Sequence, residues 1–322
     1  MNTQIRLILV SALSLATMRP ASLEALSQNQ ASPPTRNSPE RVLLDVMVRH
    51  RGSGKTVVGL NKHDFSIFEG DVKQEIEEFK PDGSPASIVL LLDVSKSMDE
   101  VVKRIREGAK TAWREFGLKD EVAIMTFAKS VEVVQAFTED KQVLIDRIGQ
   151  IYAVTGDKGR GETNLEEAIY QAAVYLGNSA KSERHRFVFV VSDGQSNQLV
   201  GHSKKEALQA LFACGAALYA LILSDPTRSL PGGNTLAGYA DETGGLSARV
   251  ENFKLPYIHK LELVEKLGLL LVLLQNRYSI AYRSSNQKRD GKFRRTKVTV
   301  SAEVERRVGK VAVLTHRGYY AQ

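Results

Sequence analysis

The stretch SIVLLLDVSKSM, from Ser87 to Met98, decides the fold of this chain. Its first six residues are apolar or small, and a continuous run of this kind is typical of a strand that is buried on both faces. The strand ends in Asp93, and Ser95 and Ser97 follow at alternate positions just before a helical pattern begins. Three polar side chains are therefore expected to crowd together beyond the end of a buried strand.

Apolar strands and amphipathic helices alternate from residue 86 to residue 276. RFVFVVSDG, which ends at Gly194, is a second doubly buried strand, and residues 98–116 and 163–177 each place apolar side chains on one helical face. Ser97 precedes the first of these helices and can cap it. The alternation predicts an α/β fold with a doubly wound, mostly parallel sheet. Such sheets bind ligands at the carboxyl ends of their strands.

Short β-rich runs, separated by turn residues, flank the α/β region on both sides. They divide the chain into a signal peptide (1–27), a linker (28–40), an N-terminal β-rich segment (41–82), the α/β domain (86–276) and a C-terminal β-rich segment (277–322). The two β-rich segments are expected to pack together as a small β-sandwich-like subdomain.

The first residues are typical of a secretory signal peptide. Arg6 is followed by LILVSALSLA, an apolar run of ten residues. Such a run is too short to span a bilayer as a helix. We therefore expect the protein to be exported to the periplasm, the extracellular space or the cell surface, with no transmembrane segment in the mature chain.

The composition excludes two kinds of site. The single cysteine, Cys214, allows no internal disulfide, and the six scattered histidines show neither zinc nor nucleophile–histidine spacing. The net charge is +7, from 44 Lys and Arg against 37 Asp and Glu. The excess lies in the C-terminal segment, because residues 283–317 hold eleven Lys and Arg but three Asp and Glu.

The oxygen-bearing side chains at the strand ends suit a hard divalent cation. Asp93 and Asp193 end two strands of the predicted sheet, and Thr163, at the start of a helix, can point its hydroxyl to the same edge. Ser95 and Ser97 bring the set to two carboxylates and three hydroxyls, and oxygen donors of this kind favour Mg²⁺ or Mn²⁺. Because hydroxyls are neutral, the metal would keep part of its charge and attract an acidic group from outside.

Three segments, LLLDVSKSM, GETNLEEAI and FVFVVSDG, resemble the three parts of the metal-ion-dependent adhesion site of von Willebrand factor type A domains. The resemblance implies that Ser95, Ser97 and Thr163 contact Mg²⁺, Mn²⁺ or Ca²⁺ by hydroxyl. It implies direct or water-mediated contacts from Asp93 and Asp193, and a Glu or Asp of a partner protein that completes the shell. Such domains bind proteins and are not usually enzymes. The flanking segments are similar to exported von Willebrand factor A-related proteins of Acidobacteria.

Two residues depart from the family pattern. Lys96 stands between the serines, where Gly or another small residue is usual, and Glu162 replaces the usual Gly before the threonine. Lys96 repels a metal ion but can help to recruit an acidic ligand, whereas Glu162 adds a negative charge. Together with Gly194, these two residues form the expected rim of the ligand-binding surface.

A Mg²⁺-dependent hydrolase is one alternative, because an aspartate at a strand end also describes the nucleophile of some phosphatases and dehalogenases. The phosphatases need a second aspartate two residues on, where this chain has Ser95. GSGKT, residues 52–56, matches only the end of a phosphate-binding loop and lies between two short β runs. It is expected to form a hairpin turn.

An acidic cell-surface polymer, such as an acidic polysaccharide, is the other alternative partner. QKRDGKFRRTK, residues 287–297, is strongly basic, and in a strand Arg295 and Lys297 would share a face with Thr299. Binding through this segment should weaken steeply with salt, whereas metal-dependent binding should respond to EDTA. Nucleic acid is not expected as a partner of an exported protein.

Overall fold

The structure, a computed structural model, describes most of the chain from residue 39 onward. The described residues are 39, 41–81, 84–112, 119–153, 163–181, 184–196, 201–224, 233–251, 265–266, 268–270, 272–273 and 276–321. The predicted signal peptide, the predicted linker apart from Pro39, and the predicted rim residue Glu162 lie outside this part of the chain.

Strands and helices follow one another in the described residues as the sequence pattern predicts. The strands are β1 (Val42–His50), β2 (Phe65–Glu69), β3 (Val72–Gln74), β4 (Ile76–Lys80), β5 (Ala86–Asp93), β6 (Glu121–Phe127), β7 (Val131–Thr138), β8 (His185–Ser192), β9 (Ala217–Ser224), β10 (Ser247–Glu251), β11 (Tyr278–Tyr282), β12 (Phe293–Val300), β13 (Val311–Leu314) and β14 (Gly318–Tyr320). The helices are α1 (Asp99–Ala112), α2 (Lys141–Gly149), α3 (Leu165–Ser179), α4 (Lys204–Cys214), α5 (Gly233–Thr243) and α6 (Ala302–Val308).

A six-stranded sheet in the order β10-β9-β8-β5-β6-β7 forms the centre of the α/β part. Its neighbouring strands run parallel except β6 and β7, which are antiparallel because a short turn joins them. The predicted α/β class with a mostly parallel sheet is confirmed. The carboxyl ends of β5 and β8 are neighbours at one edge of this sheet.

Helices cover both faces of the central sheet because its inner strands are apolar on both sides. All eight residues of β5 and all eight of β8 are buried. Ile88 and Leu90 face a core shared with α1 and α2, whereas Val89 and Leu91 face a core shared with α3, α4 and α5. The stripe predicted on α3 is buried as expected, and its members are Leu165, Ala168, Ile169, Ala172 and Ala173.

The two segments that flank the α/β part form two antiparallel sheets. One has the order β13-β1-β11-β4 and the other the order β14-β12-β2-β3, so each combines early and late strands of the chain. The two sheets share one apolar core, to which Leu44 and Ile280 contribute from the first sheet and Ile67 and Val298 from the second. These strands bury apolar surface that neither segment could cover alone.

Strand β1 is largely buried because it separates this second core from the α/β part. Leu44 enters the core of the antiparallel sheets, whereas Met47 joins the core of the central sheet. Between them, Asp45 faces the amino end of β8, where its Oδ1 lies 2.6 Å from His185 Nδ1. Ser279 Oγ of β11 lies 3.3 Å from Nε2 of the same ring. A buried polar contact therefore joins the layers at the edge opposite the candidate site.

Glu69 holds the two antiparallel sheets together from within. Its carboxylate is 9% exposed and accepts hydrogen bonds from the hydroxyls of Ser284 (2.8 Å), Tyr282 (2.9 Å) and Tyr319 (3.0 Å). Arg294 Nη1 lies 3.5 Å from the same group. Both oxygens of the buried carboxylate therefore have donors, and hydrogen bonds to a charged acceptor of this kind are stronger than those between neutral groups.

We expect Glu69→Gln to lower the free energy of unfolding by about 1–3 kcal/mol. The amide NH₂ would face a hydroxyl that donates in the wild type, so two donors would meet, and Arg294 would lose the negative charge with which it pairs. Urea denaturation followed by circular dichroism measures the change. Glu78→Gln is the matched control, since Glu78 forms an exposed ion pair with Arg41 at 3.3 Å. Equal stability of the two variants would contradict the role given to Glu69.

The segment GSGKT forms the predicted hairpin turn. The backbone N–H of His50 donates to Lys55 O at 2.9 Å, and Arg49 forms an isolated antiparallel β-bridge with Thr56.

Among the described residues, no helix combines the length and the apolar character needed to cross a bilayer.

Candidate functional site

Asp93 ends β5 and is held in place through both of its carboxylate oxygens. Oδ1 accepts a hydrogen bond from the backbone N–H of Ser95 at 2.9 Å, and Oδ2 accepts one from the Ser192 hydroxyl at 2.6 Å. The residue is 1% exposed. The neighbouring strands β5 and β8 therefore fix this carboxylate at their shared carboxyl edge.

Asp193 follows β8 directly and joins the two serines that follow β5. Its Oδ2 accepts a hydrogen bond of 2.8 Å from the Ser97 hydroxyl, although the two residues are 96 positions apart in the chain. The hydroxyl of Ser97 also lies 3.1 Å from that of Ser95. Four of the five predicted metal ligands, Asp93, Ser95, Ser97 and Asp193, therefore belong to one connected group of side chains and main chain.

The hydroxyl of Ser97 is used differently from the predicted helix cap. Lys96–Met98 form one turn of 3-10 helix, and α1 begins at Asp99. Within this turn the Ser97 hydroxyl contacts Ser95 and Asp193 and caps no helix. The cap prediction is wrong because Ser97 lies inside the 3-10 turn, two residues before α1 begins, and not at the position directly before the helix.

Thr163 lies beside the loop that carries Asp193. It directly precedes Asn164, whose side chain caps α3 by accepting a hydrogen bond from Glu167 N at 3.1 Å. The Thr163 carbonyl lies 3.4 Å from Ser196 Oγ, and the residue is 7% exposed. The main chain of the third predicted segment therefore borders the loop that carries Asp193, while a hydroxyl contact from Thr163 to a metal stays a prediction.

The buried position of Asp93 changes its acidity. Loss of solvent and, to a smaller extent, the negative charge of Asp193 together raise the pKa of the Asp93 carboxyl to about 6, although the hydrogen bonds from Ser192 and Ser95 lower it. Among the described residues no Lys, Arg or His forms an ion pair with Asp93. At neutral pH the site therefore holds a buried negative charge with a second carboxylate nearby.

This donor set fits a small, hard cation. Two carboxylates and neighbouring hydroxyls supply only oxygen, which Mg²⁺, Mn²⁺ and Ca²⁺ prefer. A bound cation would also neutralise the buried charge of Asp93. Within the described part of the chain, no group of three or more His, Cys, Asp or Glu side chains is placed to hold a metal ion. Metal binding here would therefore depend on the serine hydroxyls, and it stays a prediction.

The three predicted rim residues have different surroundings. Lys96 is exposed beside the serines. Gly194 is buried with φ +75°, and its N–H donates to Ser192 Oγ at 3.0 Å, so it shapes the turn after β8. Glu162 lies outside the described residues.

Sequence reasoning missed three residues that support the site. Ser192 donates to Asp93, Gln195 donates to both oxygens of Asp193 at 3.1 Å, and Ser196 contacts the Thr163 carbonyl. All three lie in VVSDGQS, the run that carries Asp193. A serine at the last position of a buried strand was the available signal, because a buried hydroxyl needs a partner.

Comparison with known protein families and curated proteins gives one match. Residues 88–195 match the family model described as von Willebrand factor type A domain. A search of curated proteins finds no match. The resemblance of the flanking segments to exported proteins of Acidobacteria therefore stays a prediction.

Several solved structures resemble part of this chain at low sequence identity. BatB, a conserved hypothetical protein from Bacteroides thetaiotaomicron, is 16% identical with a TM-score of 0.43, and the match covers 57% of this chain and 98% of that one. An aerotolerance-related membrane protein from Bacteroides fragilis NCTC 9343 is 16% identical with a TM-score of 0.45, covering 58% and 98%. Proximal thread matrix protein 1 from the mussel byssus is 17% identical with a TM-score of 0.48, covering 62% of this chain and 49% of that one.

Proposed function

We propose that this chain, whose residues 88–195 match the von Willebrand factor type A domain, is a divalent-metal-dependent adhesion or protein-binding module of an exported protein. Domains of this family are typically protein-interaction modules. A metal at the carboxyl edge of the central sheet would coordinate a Glu or Asp of the partner. The export part of the proposal rests on the N-terminal sequence, where Arg6 precedes an apolar run.

One observation carries the proposal. The Ser97 hydroxyl donates to Asp193 at 2.8 Å, so the serine loop after β5 and the aspartate loop after β8 meet with their oxygens in contact. Beside this contact, Asp93 buries a charge that no described cationic side chain pairs with. Oxygens that converge on a buried, unneutralised carboxylate favour a cation as the intended partner.

Each residue of the group has a role toward such a cation. Asp93 and Asp193 would supply negative charge, directly or through water, while Ser95, Ser97 and Thr163 would supply neutral hydroxyl oxygens. A cation held by this set offers an outside carboxylate a position and a net positive charge. The exposed ammonium of Lys96 would add to that attraction.

The surroundings of Asp93 favour binding over hydrolysis. Both of its oxygens already accept hydrogen bonds, from Ser95 N and Ser192 Oγ, and the residue is 1% exposed. A nucleophilic carboxylate needs one oxygen directed at the substrate. Ser95 also occupies the position at which a phosphatase needs its second aspartate.

We expect Mg²⁺ or Mn²⁺ to raise the melting temperature of the protein relative to EDTA. At about a hundred times its dissociation constant, a metal that binds only the folded state stabilises it by about 2.7 kcal/mol. Asp193→Ala should lose this shift because it removes one of two carboxylates. Asp146→Ala is the control, since Asp146 is an exposed residue of α2 that accepts a hydrogen bond from Gln142. Equal metal shifts in the two variants, or none in the wild type, would overturn the metal site.

Partner chemistry is tested separately with peptides immobilised on beads. A poly-glutamate peptide should retain the metal-loaded protein and release it on addition of EDTA, whereas poly-glutamine should not retain it. Retention of the Asp193→Ala variant by poly-glutamate would show that the acidic group binds elsewhere.

A further inference from the structure

A row of basic and aromatic side chains crosses the outer face of the sheet β14-β12-β2-β3. Lys297 of β12 is the register partner of Phe68 in β2, and Phe68 is the partner of Lys73 in β3. Side chains directly opposite one another lie on the same face of a sheet. Arg295 lies two residues before Lys297 and shares this face. We call these four residues the cationic sheet face.

The three cations of this face are exposed to solvent. Arg295, Lys297 and Lys73 are all exposed, and the side chains of the described residues form no ion pair or hydrogen bond with them. Their strand neighbours Val298 and Gln74 are buried on the opposite face. By strand geometry the two lysines stand about 10 Å apart, and Arg295 about 7 Å from Lys297.

The centre of the row is aromatic rather than charged. Phe68 lies between the two lysines and is partly exposed. Ser66 and Thr299 form the next pair on the same face and are also partly exposed. The face therefore offers an apolar ring flanked by cations, with hydroxyls beside them.

We propose that the cationic sheet face binds an acidic polysaccharide, with Phe68 packed on a sugar ring and Lys73, Arg295 and Lys297 paired with its carboxylates. This site is distinct from the metal site, because β2, β3 and β12 belong to an antiparallel sheet, whereas the metal site lies at the ends of β5 and β8 in the central sheet. It requires no metal.

Protection of the sheet edge does not account for this arrangement. Lysine on an edge strand prevents pairing between molecules, and β3, which carries Lys73, is an edge strand. Arg295 and Lys297 lie on β12, however, which has a neighbouring strand on each side. Three cations and one ring are also a small footprint for duplex DNA, whose binding usually involves about 6–10 phosphate contacts.

The test measures binding of the full chain to immobilised hyaluronate in the presence of EDTA. Because EDTA removes divalent ions, the metal site cannot contribute to the binding that is measured. Salt should elute the wild type, and Lys73→Gln combined with Lys297→Gln should weaken binding at least about tenfold. It should also reduce the salt slope by about two ionic contacts. Lys80→Gln combined with Lys310→Gln is the matched control, because it removes the same charge at the other antiparallel sheet, where Lys80 ends β4 and Lys310 directly precedes β13. Equal losses in the two double variants would overturn the proposal in favour of a net-charge effect.

A second variant separates stacking from charge. Phe68→Ala should weaken hyaluronate binding without changing the salt slope, because it removes no charge. An unchanged affinity would overturn the role of the ring. Tighter binding of single-stranded DNA than of hyaluronate would overturn the choice of ligand. The lysines are exposed, so the double variant should melt at the wild-type temperature, which shows that it is folded.

Discussion

Asparagine in place of Asp93 is expected to stabilise the metal-free protein at pH 7.5 and to abolish its response to Mg²⁺. Burial raises the pKa of Asp93 from 3.8 to about 6 in the folded protein. A group with a raised folded pKa contributes stability below its unfolded pKa, and that contribution is lost as the pH rises through the folded pKa. At pH 7.5 the ionised carboxylate therefore costs up to about 3 kcal/mol, which the neutral amide avoids.

The amide keeps part of the hydrogen bonding of Asp93. Its oxygen accepts from Ser95 N, and its NH₂ can donate to Ser192 Oγ, which already accepts from Gly194 N. The Ser192 hydroxyl then loses Asp93 as its acceptor, which offsets about 1 kcal/mol of the gain. The metal response is lost because the amide carries no charge to hold a divalent cation.

Urea denaturation of both proteins in EDTA, from pH 4 to pH 8, measures the effect. The stability advantage of Asp93→Asn should be largest at pH 7.5 and shrink as the pH falls through about 6 toward the unfolded value. Wild-type metal affinity should fall over the same range, because protons compete for the carboxylate. A wild type that is as stable as the variant at pH 7.5 would contradict the buried charge.

The second large effect is expected at the junction between the α/β part and the antiparallel sheets. Arg277 is 1% exposed, and its guanidinium donates to the Tyr219 hydroxyl, to Gly244 O at 2.9 Å and to Asp45 O at 3.4 Å. It also lies 5.3 Å from the ring centre of Phe187. One side chain thus contacts β1, β8, β9 and the turn after α5.

Arg277→Ala should lower the free energy of unfolding by about 3–5 kcal/mol, because it leaves a cavity and unpaired buried acceptors. Arg283→Ala is the control, since Arg283 forms an exposed ion pair with Glu77 at 3.3 Å, and such pairs contribute about 1 kcal/mol or less. Hydrogen exchange should become faster in β1 and β11. Similar stability of the two variants would show that the junction does not depend on Arg277.

The sequence alone determined the features that depend on neighbouring residues. The apolar run from Ser87 to Leu92 predicts a doubly buried strand, and the helical spacing of Leu165 and Ile169 predicts the buried face of α3, because burial follows local periodicity. The oxygens at the ends of β5 and β8 were also predictable, since parallel strands bring their carboxyl ends to one edge.

Tertiary structure decided which polar groups meet across distant segments. Ser97 pairs with Asp193 instead of capping α1, Ser192 reaches Asp93, and Asp45 reaches His185. Sheet register likewise places Lys73 in line with Lys297, far away in the chain. Local sequence patterns could not predict these contacts. A buried hydroxyl or charged group bonds with the partner that lies within hydrogen-bond distance, and the packing of the apolar cores decides which partner that is.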